Sequence, residues 1–176
     1  MDIYIIKSDI NKYQYDIEKF CHKSFKNKQK QFEHSFSYYM LDKILKEKYN
    51  IKDRTIEFIN EKPFLKTKKM YISMSHSGNY ITLAFSDNDC GIDIEKVKER
   101  DYKAISERMN FECNSLQDFY KKWTKYEAEY KLGEKQDKSL KSIEFENYIL
   151  TAVCEKEKEE FQFYIQITDD FSKLTV

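Results

Sequence analysis

Two acidic residues lie two positions apart in the sequence Gly-Ile-Asp-Ile-Glu at residues 91–95. In an extended strand successive side chains point to opposite faces, so Asp93 and Glu95 share one face while Ile92 and Ile94 share the other. Two carboxylates side by side repel each other unless a cation or a basic ligand lies between them. The pattern therefore predicts a site for such a ligand or, alternatively, an ordinary half-exposed strand with an acidic outer face.

A third carboxylate lies on a predicted helix over residues 115–132. At 100° per residue this helix has one apolar stripe, which consists of Leu116, Phe119, Tyr120, Trp123 and Tyr130. Glu127 falls near the middle of the stripe, and Lys131 lies one turn later at its edge. A carboxylate on a buried face is costly unless it is paired or binds a metal. An exposed Glu127–Lys131 pair is the alternative, but it is worth only about 0.3–0.5 kcal/mol and does not explain a glutamate at the centre of the stripe.

The strands around residues 70–97 must position the two acidic residues. Apolar alternation predicts a hairpin with strands at 70–75 and 80–85 and a turn at 76–79, followed by a third strand at 90–97. This antiparallel meander places the acidic strand near Ser75, His76 and Ser77. Their hydroxyls, imidazole and turn amides suit phosphate oxygens, although a histidine in a turn is often simply exposed.

Further elements follow from periodicity and turn residues. We expect a first strand at residues 2–7, an amphipathic helix at 33–49, a strand at 55–59 and an ordinary turn at 60–64 around the single proline. A short helix at 102–109, strands at 143–145, 148–154 and 161–168, and a loose tail at 169–176 complete the expected order.

The composition narrows the class of protein. The chain has 176 residues, and its 31 basic and 31 acidic residues balance, so global charge predicts no nucleic-acid partner. Only 3 glycines are present, and neither a P-loop nor a dinucleotide fingerprint occurs. We interpret the four cysteines as reduced thiols, because none forms a metal-type pair. With no signal peptide and no apolar run of about 20 residues, we expect a cytoplasmic protein without a membrane partner.

Three stretches together resemble a known family: Ser-His-Ser-Gly at 75–78, Gly-Ile-Asp-Ile-Glu at 91–95, and Trp-Thr-Lys-Tyr-Glu-Ala-x-x-Lys at 123–131. The set resembles the 4′-phosphopantetheinyl transferases of the surfactin-synthetase-activating type. That family has a serine-histidine-serine turn, a Gly-(Ile/Val)-Asp-(Ile/Val)-Glu strand and a Trp-(Ser/Thr)-x-Lys-Glu-(Ala/Ser)-x-x-Lys helix. The segment Lys-Pro-Phe at 62–64 is similar to the family's Gly-Lys-Pro segment.

The resemblance implies an α/β (α+β) pseudo-dimer of two similar halves, each a long helix packed on a small antiparallel sheet. The halves would be residues 1–88 and 89–176, forming a single functional unit with the active site between them. The implied protein is a monomer.

The resemblance also implies an activity: magnesium-dependent transfer of phosphopantetheine from coenzyme A to a serine of an acyl or peptidyl carrier protein, with release of 3′,5′-ADP. Asp93, Glu95 and Glu127 would hold Mg²⁺. Glu127 would also take the proton from the serine, and Lys131 would stabilise the departing nucleotide. The residues matched to coenzyme A binding are Lys62, Ser75 and His76.

Two departures from the family pattern keep other functions open. Tyr126 stands where the family has lysine, and the arginine-containing stretch before the first long helix is not recognisable. One alternative is therefore a coenzyme A or nucleotide-binding module that has lost catalysis. Another is a metal-dependent phosphodiesterase built on the same three carboxylates.

Overall fold

The structure is a computed structural model that describes residues 1–9, 13, 15–21, 23–59, 61–166 and 171–174. Over these residues the chain folds as a mixed α+β protein with two sheets. The helices are α1 (Ile17–Phe20), α2 (Lys28–Glu47), α3 (Tyr102–Arg108) and α4 (Leu116–Leu132). No helix within the described ranges is both long and apolar enough to cross a membrane.

The larger sheet has seven strands in the order β10-β9-β1-β5-β4-β3-β2. Its strands are β1 (Asp2–Lys7), β2 (Ile56–Ile59), β3 (Lys62–Leu65), β4 (Met70–Ser77), β5 (Tyr80–Ser86), β9 (Gln162–Gln166) and β10 (Phe171–Leu174). Neighbouring strands are antiparallel except β1 and β9, which are parallel. The smaller sheet is antiparallel, in the order β6 (Cys90–Lys96), β8 (Tyr148–Cys154) and β7 (Ser139–Phe145).

The alternation of apolar side chains stacks these elements in layers. On β1, Tyr4 and Ile6 join the core cluster that contains the buried face of α2. Ile3 and Ile5, on the opposite face of the same strand, join a second cluster with side chains of β6 and β8. Helix α4 covers the remaining face of the smaller sheet. The long helices therefore lie on the outside, with the two sheets between them.

Most predicted elements are present, with several corrections. Helix α2 begins at Lys28, five residues before the predicted start, because the Asn27 side chain caps the amides of Gln29 and Lys30. Residues 62–64 of the predicted turn belong to strand β3 instead. The tail prediction was wrong for residues 171–174, which form β10 and pair with β9. Residues 169, 170, 175 and 176 of the predicted tail lie outside the described residues, as do residue 60 of the predicted turn and residues 167 and 168 of the predicted strand at 161–168.

The hairpin also differs from the prediction. Strand β4 continues through Ser77, so the turn consists of Gly78 and Asn79 alone. Gly78 has a φ of 57°, a left-handed conformation that glycine adopts without steric cost. His76 is therefore a strand residue rather than a turn residue. Strand β6 does not continue the meander but forms the edge of the smaller sheet.

The two-part architecture is confirmed only in part. Each long helix packs on a sheet as expected, but the sheets have seven and three strands, so the similarity of two halves is not confirmed. Residues 89–176 also contribute β9 and β10 to the sheet formed by residues 1–88. The chain thus closes the larger sheet with its C-terminal strands.

Candidate active site between strand β6 and helix α4

Gly91 sets the distance between strand β6 and helix α4. A Cβ atom at this position would lie 2.0 Å from the carbonyl oxygen of Ala128 and 2.9 Å from the amide nitrogen of Leu132. Only a glycine therefore lets the helix backbone approach the strand this closely. Asp93 and Glu95 follow at two-residue spacing on the same face of β6, so both carboxylates point toward α4.

Asp93 is the most buried carboxylate of the site, with 6% of its surface exposed. Its Oδ1 atom accepts hydrogen bonds from the Ser75 hydroxyl at 2.8 Å and from the Lys131 ammonium at 2.8 Å. Its Oδ2 atom is buried and has no hydrogen-bond partner among the described residues. A buried carboxylate oxygen without a partner is rare in proteins and indicates a place where a ligand can bind.

Glu95 lies two residues beyond Asp93 on the same face of strand β6. Its Oε2 atom accepts a hydrogen bond from the Ser77 hydroxyl at 2.8 Å. Burial raises the pKa of Glu95 and the negative charge of Asp93 adds to this, while the Ser77 hydrogen bond, Arg100 and a Trp123 hydrogen bond act in the opposite direction. The environment thus disfavours a negative charge on Glu95 unless a cation joins it.

Glu127 and Lys131 face these carboxylates from α4. Burial raises the pKa of Glu127, the charge of Asp93 raises it further, and Lys131 lowers it. Lys131 donates to Asp93 and, at 2.9 Å, to the carbonyl oxygen of Ile92. The alternative of an intrahelical Glu127–Lys131 ion pair is therefore wrong for the described structure, because the ammonium is bound to strand β6 instead.

The apolar stripe predicted for α4 is partly wrong. Tyr130 is 75% exposed, although the helical periodicity predicts it on the buried stripe. The residues that are buried are Phe119, Tyr120, Thr124, Ala128 and Leu132. The buried face is thus rotated around the helix, and Glu127 lies half-buried beside it rather than at its centre.

A ladder of serine hydroxyls joins β4 to β6. Ser73, Ser75 and Ser77 lie at alternate positions, and their hydroxyls accept hydrogen bonds from the backbone amides of residues 92, 94 and 96 at 3.1, 3.3 and 3.0 Å. Ser75 and Ser77 also donate to the two carboxylates of β6. The serines therefore replace a backbone ladder between the two sheets and fix the acidic side chains. The sequence motif contains Ser75 and Ser77, whereas Ser73 lies outside it, so the alternation of the three serines is not apparent from the motif alone.

The other two residues matched to coenzyme A binding lie apart from the carboxylates. Lys62 donates to both oxygens of Asp89 at 2.9 and 2.8 Å and to the carbonyl oxygen of Leu132 at 2.6 Å. It thereby ties the C-terminal end of α4 to the residue that precedes β6. His76 is half-exposed, and its Nδ1 atom lies 3.4 Å from Oε2 of Glu33.

Arg100 is a residue that sequence analysis missed. Its positive charge lowers the pKa of Glu95, and its guanidinium lies 5.6 Å from the ring centroid of Phe119 and 5.8 Å from that of Tyr120. These two rings hold the Arg100 guanidinium beside the face of β6 that carries Asp93 and Glu95. No motif marks Arg100, because the contact depends on how the loop after β6 folds over α4.

The site fits a divalent cation in donor type. Across the described residues, no three or more His, Cys, Asp or Glu side chains lie close enough together to hold a metal ion. The carboxylates nevertheless offer hard oxygen donors of the kind that Mg²⁺ prefers, and Asp93 Oδ2 is buried without a partner. Asp93, Glu95 and Glu127 are the residues that would hold the ion.

In comparisons with known proteins, no protein-family model matches this chain, and neither does any curated protein.

Proposed function

We propose that this chain is a 4′-phosphopantetheinyl transferase, which moves the phosphopantetheine arm from coenzyme A to a serine of an acyl or peptidyl carrier protein. One observation carries the proposal. Lys131 of the α4 motif lies 2.8 Å from Asp93 of the β6 motif, so two motifs of the family resemblance lie in contact. Glu127 and Glu95 lie within electrostatic range of the same carboxylate.

The proposed reaction is a displacement at phosphorus. The carrier serine Oγ bonds to the β-phosphorus of coenzyme A, the bond from that phosphorus to the bridging oxygen breaks, and 3′,5′-ADP leaves with the electron pair. We assign Glu127 as the acceptor of the serine proton, because its raised pKa moves it toward the range of an effective general base. Lys131 donates to the oxygen that becomes negative on the leaving nucleotide.

Magnesium bound by Asp93, Glu95 and Glu127 would neutralise negative charge on the pyrophosphate. Ser75 and Ser77 hold two of these carboxylates in place by hydrogen bonds at 2.8 Å each. We therefore assign Ser75 to positioning Asp93 and Lys62 to anchoring α4. His76, whose side chain is 47% exposed, is the more accessible candidate for a coenzyme A phosphate.

The test is carrier loading with matched variants. Wild-type protein with coenzyme A and Mg²⁺ should add one phosphopantetheine to an apo carrier protein, detected as a mass gain. Glu127→Gln should slow the transfer about 10²- to 10⁴-fold, the range for loss of a general base. Glu129→Gln, on the same helix as Glu127, is the control. Glu129 pairs with Lys138, beyond the end of α4, at 2.7 Å, so this variant should load at the wild-type rate. Unchanged loading by Glu127→Gln, or no loading of any carrier by wild type, would refute the proposal.

A binding module without catalysis is the second candidate. Two observations favour it: the three carboxylates are not gathered into one cluster among the described residues, and Tyr126 replaces the family's lysine. Such a module would bind coenzyme A in calorimetry but would leave the carrier unmodified. The loading assay therefore separates the two functions.

A further inference from the structure

Cys90 and Cys154 lie directly opposite each other on neighbouring antiparallel strands. Cys90 is the first residue of β6, Cys154 is the last residue of β8, and the strand register pairs the two. Opposite residues of an antiparallel pair direct their side chains to the same face of the sheet. Both residues are buried, with 1% and 0% of their surfaces exposed, and both carry free thiols. The two sulfur atoms therefore share one side of the smaller sheet.

A backbone hydrogen bond beside this pair identifies its type. The amide of Glu155 donates to the carbonyl oxygen of Asp89 at 2.8 Å, which joins the residue after Cys154 to the residue before Cys90. In an antiparallel ladder this arrangement makes the two cysteines a non-hydrogen-bonded pair, whose Cα atoms lie about 4.5 Å apart. Disulfides span Cα separations of about 4.4–6.8 Å and Cβ separations up to about 4.5 Å. The Cβ atoms of such pairs approach to about 4.5 Å, so a bridge requires little movement of the strands.

We propose that Cys90 and Cys154 are a disulfide site, which a small disulfide such as oxidised glutathione converts from two thiols to a bridge between β6 and β8. Among the strand pairs that the structure describes, no other two cysteines face each other. Asp93 lies an odd number of positions from Cys90 on β6 and so points to the opposite face. The inference is therefore independent of the proposed function.

Thiol–disulfide exchange forms the bridge in two steps. Burial raises the pKa of the Cys154 thiol, and a hydrogen bond with Ser86, at 3.3 Å, lowers it, so Cys154 is the better first nucleophile. It loses its proton to water, its sulfur bonds to one sulfur of oxidised glutathione, and one glutathione thiolate leaves. The Cys90 sulfur, after losing its own proton, bonds to the Cys154 sulfur and displaces the second glutathione thiolate. The thiolates take up the two protons, so each bridge yields two reduced glutathione molecules.

Burial determines when the site reacts. Burial raises the pKa of Cys90, and the neighbouring Cys154 raises it further, so little of the reactive thiolate is present. Cys90 also belongs to the core cluster between the two sheets, where side chains cover its sulfur. The oxidant therefore reaches the pair only when the ends of β6 and β8 open locally. Urea below the unfolding transition should accelerate the reaction, because it increases the population of such open states.

The experiment identifies which cysteines pair when the folded protein is oxidised. The protein is equilibrated with oxidised glutathione in urea below its unfolding transition, free thiols are alkylated, and unreduced peptides are mapped by mass spectrometry. The Cys90–Cys154 bridge should be the major disulfide within the chain. The double variant Cys21→Ser/Cys113→Ser is the matched control, since it keeps only the proposed pair, and it should form the bridge to the same extent. Cys90→Ala should form no bridge with Cys154, and Cys154→Ala serves if that variant does not fold.

A thermal measurement tests whether the bridge fits the folded register. The cross-link joins residues far apart in the sequence, so it should raise Tm by about 5–15 °C, and a reducing agent should reverse the increase. Glutathione attached to single cysteines without a Cys90–Cys154 bridge, or a Cys21–Cys113 bridge in its place, would overturn the proposal. A bridge that forms only in fully unfolded protein, or one that does not raise Tm, would also overturn it.

Discussion

Replacing Gly91 by alanine tests how strand β6 and helix α4 create the site. The new Cβ atom would lie 2.0 Å from the carbonyl oxygen of Ala128, whereas ordinary contacts begin at 3.4 Å. The helix must therefore move by about 1.4 Å, the difference between these two distances. Because the atoms in the way belong to the helix backbone, no side-chain rotation relieves the overlap.

This displacement should reduce both stability and activity. Overpacking costs about 1–3 kcal/mol, and we expect Gly91→Ala to lie near the upper end, about 3 kcal/mol. The Lys131–Asp93 contact of 2.8 Å would lengthen beyond hydrogen-bond range. A misplacement of about 1 Å can cost about 10²-fold in rate, so carrier loading should fall by about that factor. Urea unfolding followed by fluorescence of Trp123, the only tryptophan and a residue of α4, measures the stability.

Two further variants isolate the cause. Gly133→Ala places its methyl group in open space, and its only cost is the positive φ of 84°. It should therefore cost about 1–3 kcal/mol and keep the loading rate. Adding Ala128→Gly to Gly91→Ala should not rescue the protein, since the obstructing atom is a carbonyl oxygen. Stability within about 0.5 kcal/mol of wild type, the range of an ordinary surface substitution, together with normal loading, would refute the reasoning.

The remaining predictions concern the groups that hold the site. Ser75→Ala should cost about 1–3 kcal/mol, because Asp93 loses a buried hydrogen bond, and unchanged unfolding in urea would contradict this. Lys62→Met should cost a similar amount, because Asp89 then keeps only the more distant ammonium of Lys135, at 3.8 Å. A raised KM for coenzyme A with full stability would show that Lys62 binds ligand instead. Glu127→Gln should raise Tm at pH 7.5. The folded-state pKa of Glu127 lies above its unfolded value. Ionisation of Glu127 therefore costs the wild-type protein no stability below the unfolded pKa, and the cost develops as the pH rises from the unfolded pKa through the folded pKa. A Tm difference independent of pH would contradict that assignment.

Local patterns were sufficient for much of the fold and for the acidic strand. Strand alternation correctly placed Asp93 and Glu95 on one face of β6, because the two-residue period is a property of the extended backbone. The prediction of a helix over 115–132 agrees with α4, whose N-cap is Ser115 and whose C-cap is Gly133. The expected nearness of Ser75 to the acidic strand is confirmed by its hydrogen bond to Asp93.

The partners of charged side chains could not be predicted from local patterns. Sequence spacing predicts Glu127, on the same helix, as the partner of Lys131. Tertiary packing instead brings Lys131 into contact with Asp93, which lies 38 positions earlier in the sequence. Tyr130 matched the apolar period, yet the sheet covers a different side of α4. The strands β9 and β10 were likewise not assignable to the larger sheet, because pairing of β9 with β1 joins distant parts of the chain.

The most direct test of the proposed transferase is the stoichiometry of its two products. After incubation with coenzyme A, Mg²⁺ and an apo carrier protein, 3′,5′-ADP is quantified by chromatography and the modified carrier by intact mass. Transfer to the carrier serine predicts one 3′,5′-ADP released for each carrier that gains a phosphopantetheine. Release of the nucleotide without modification of the carrier, or neither product despite binding of coenzyme A, would contradict the proposed function.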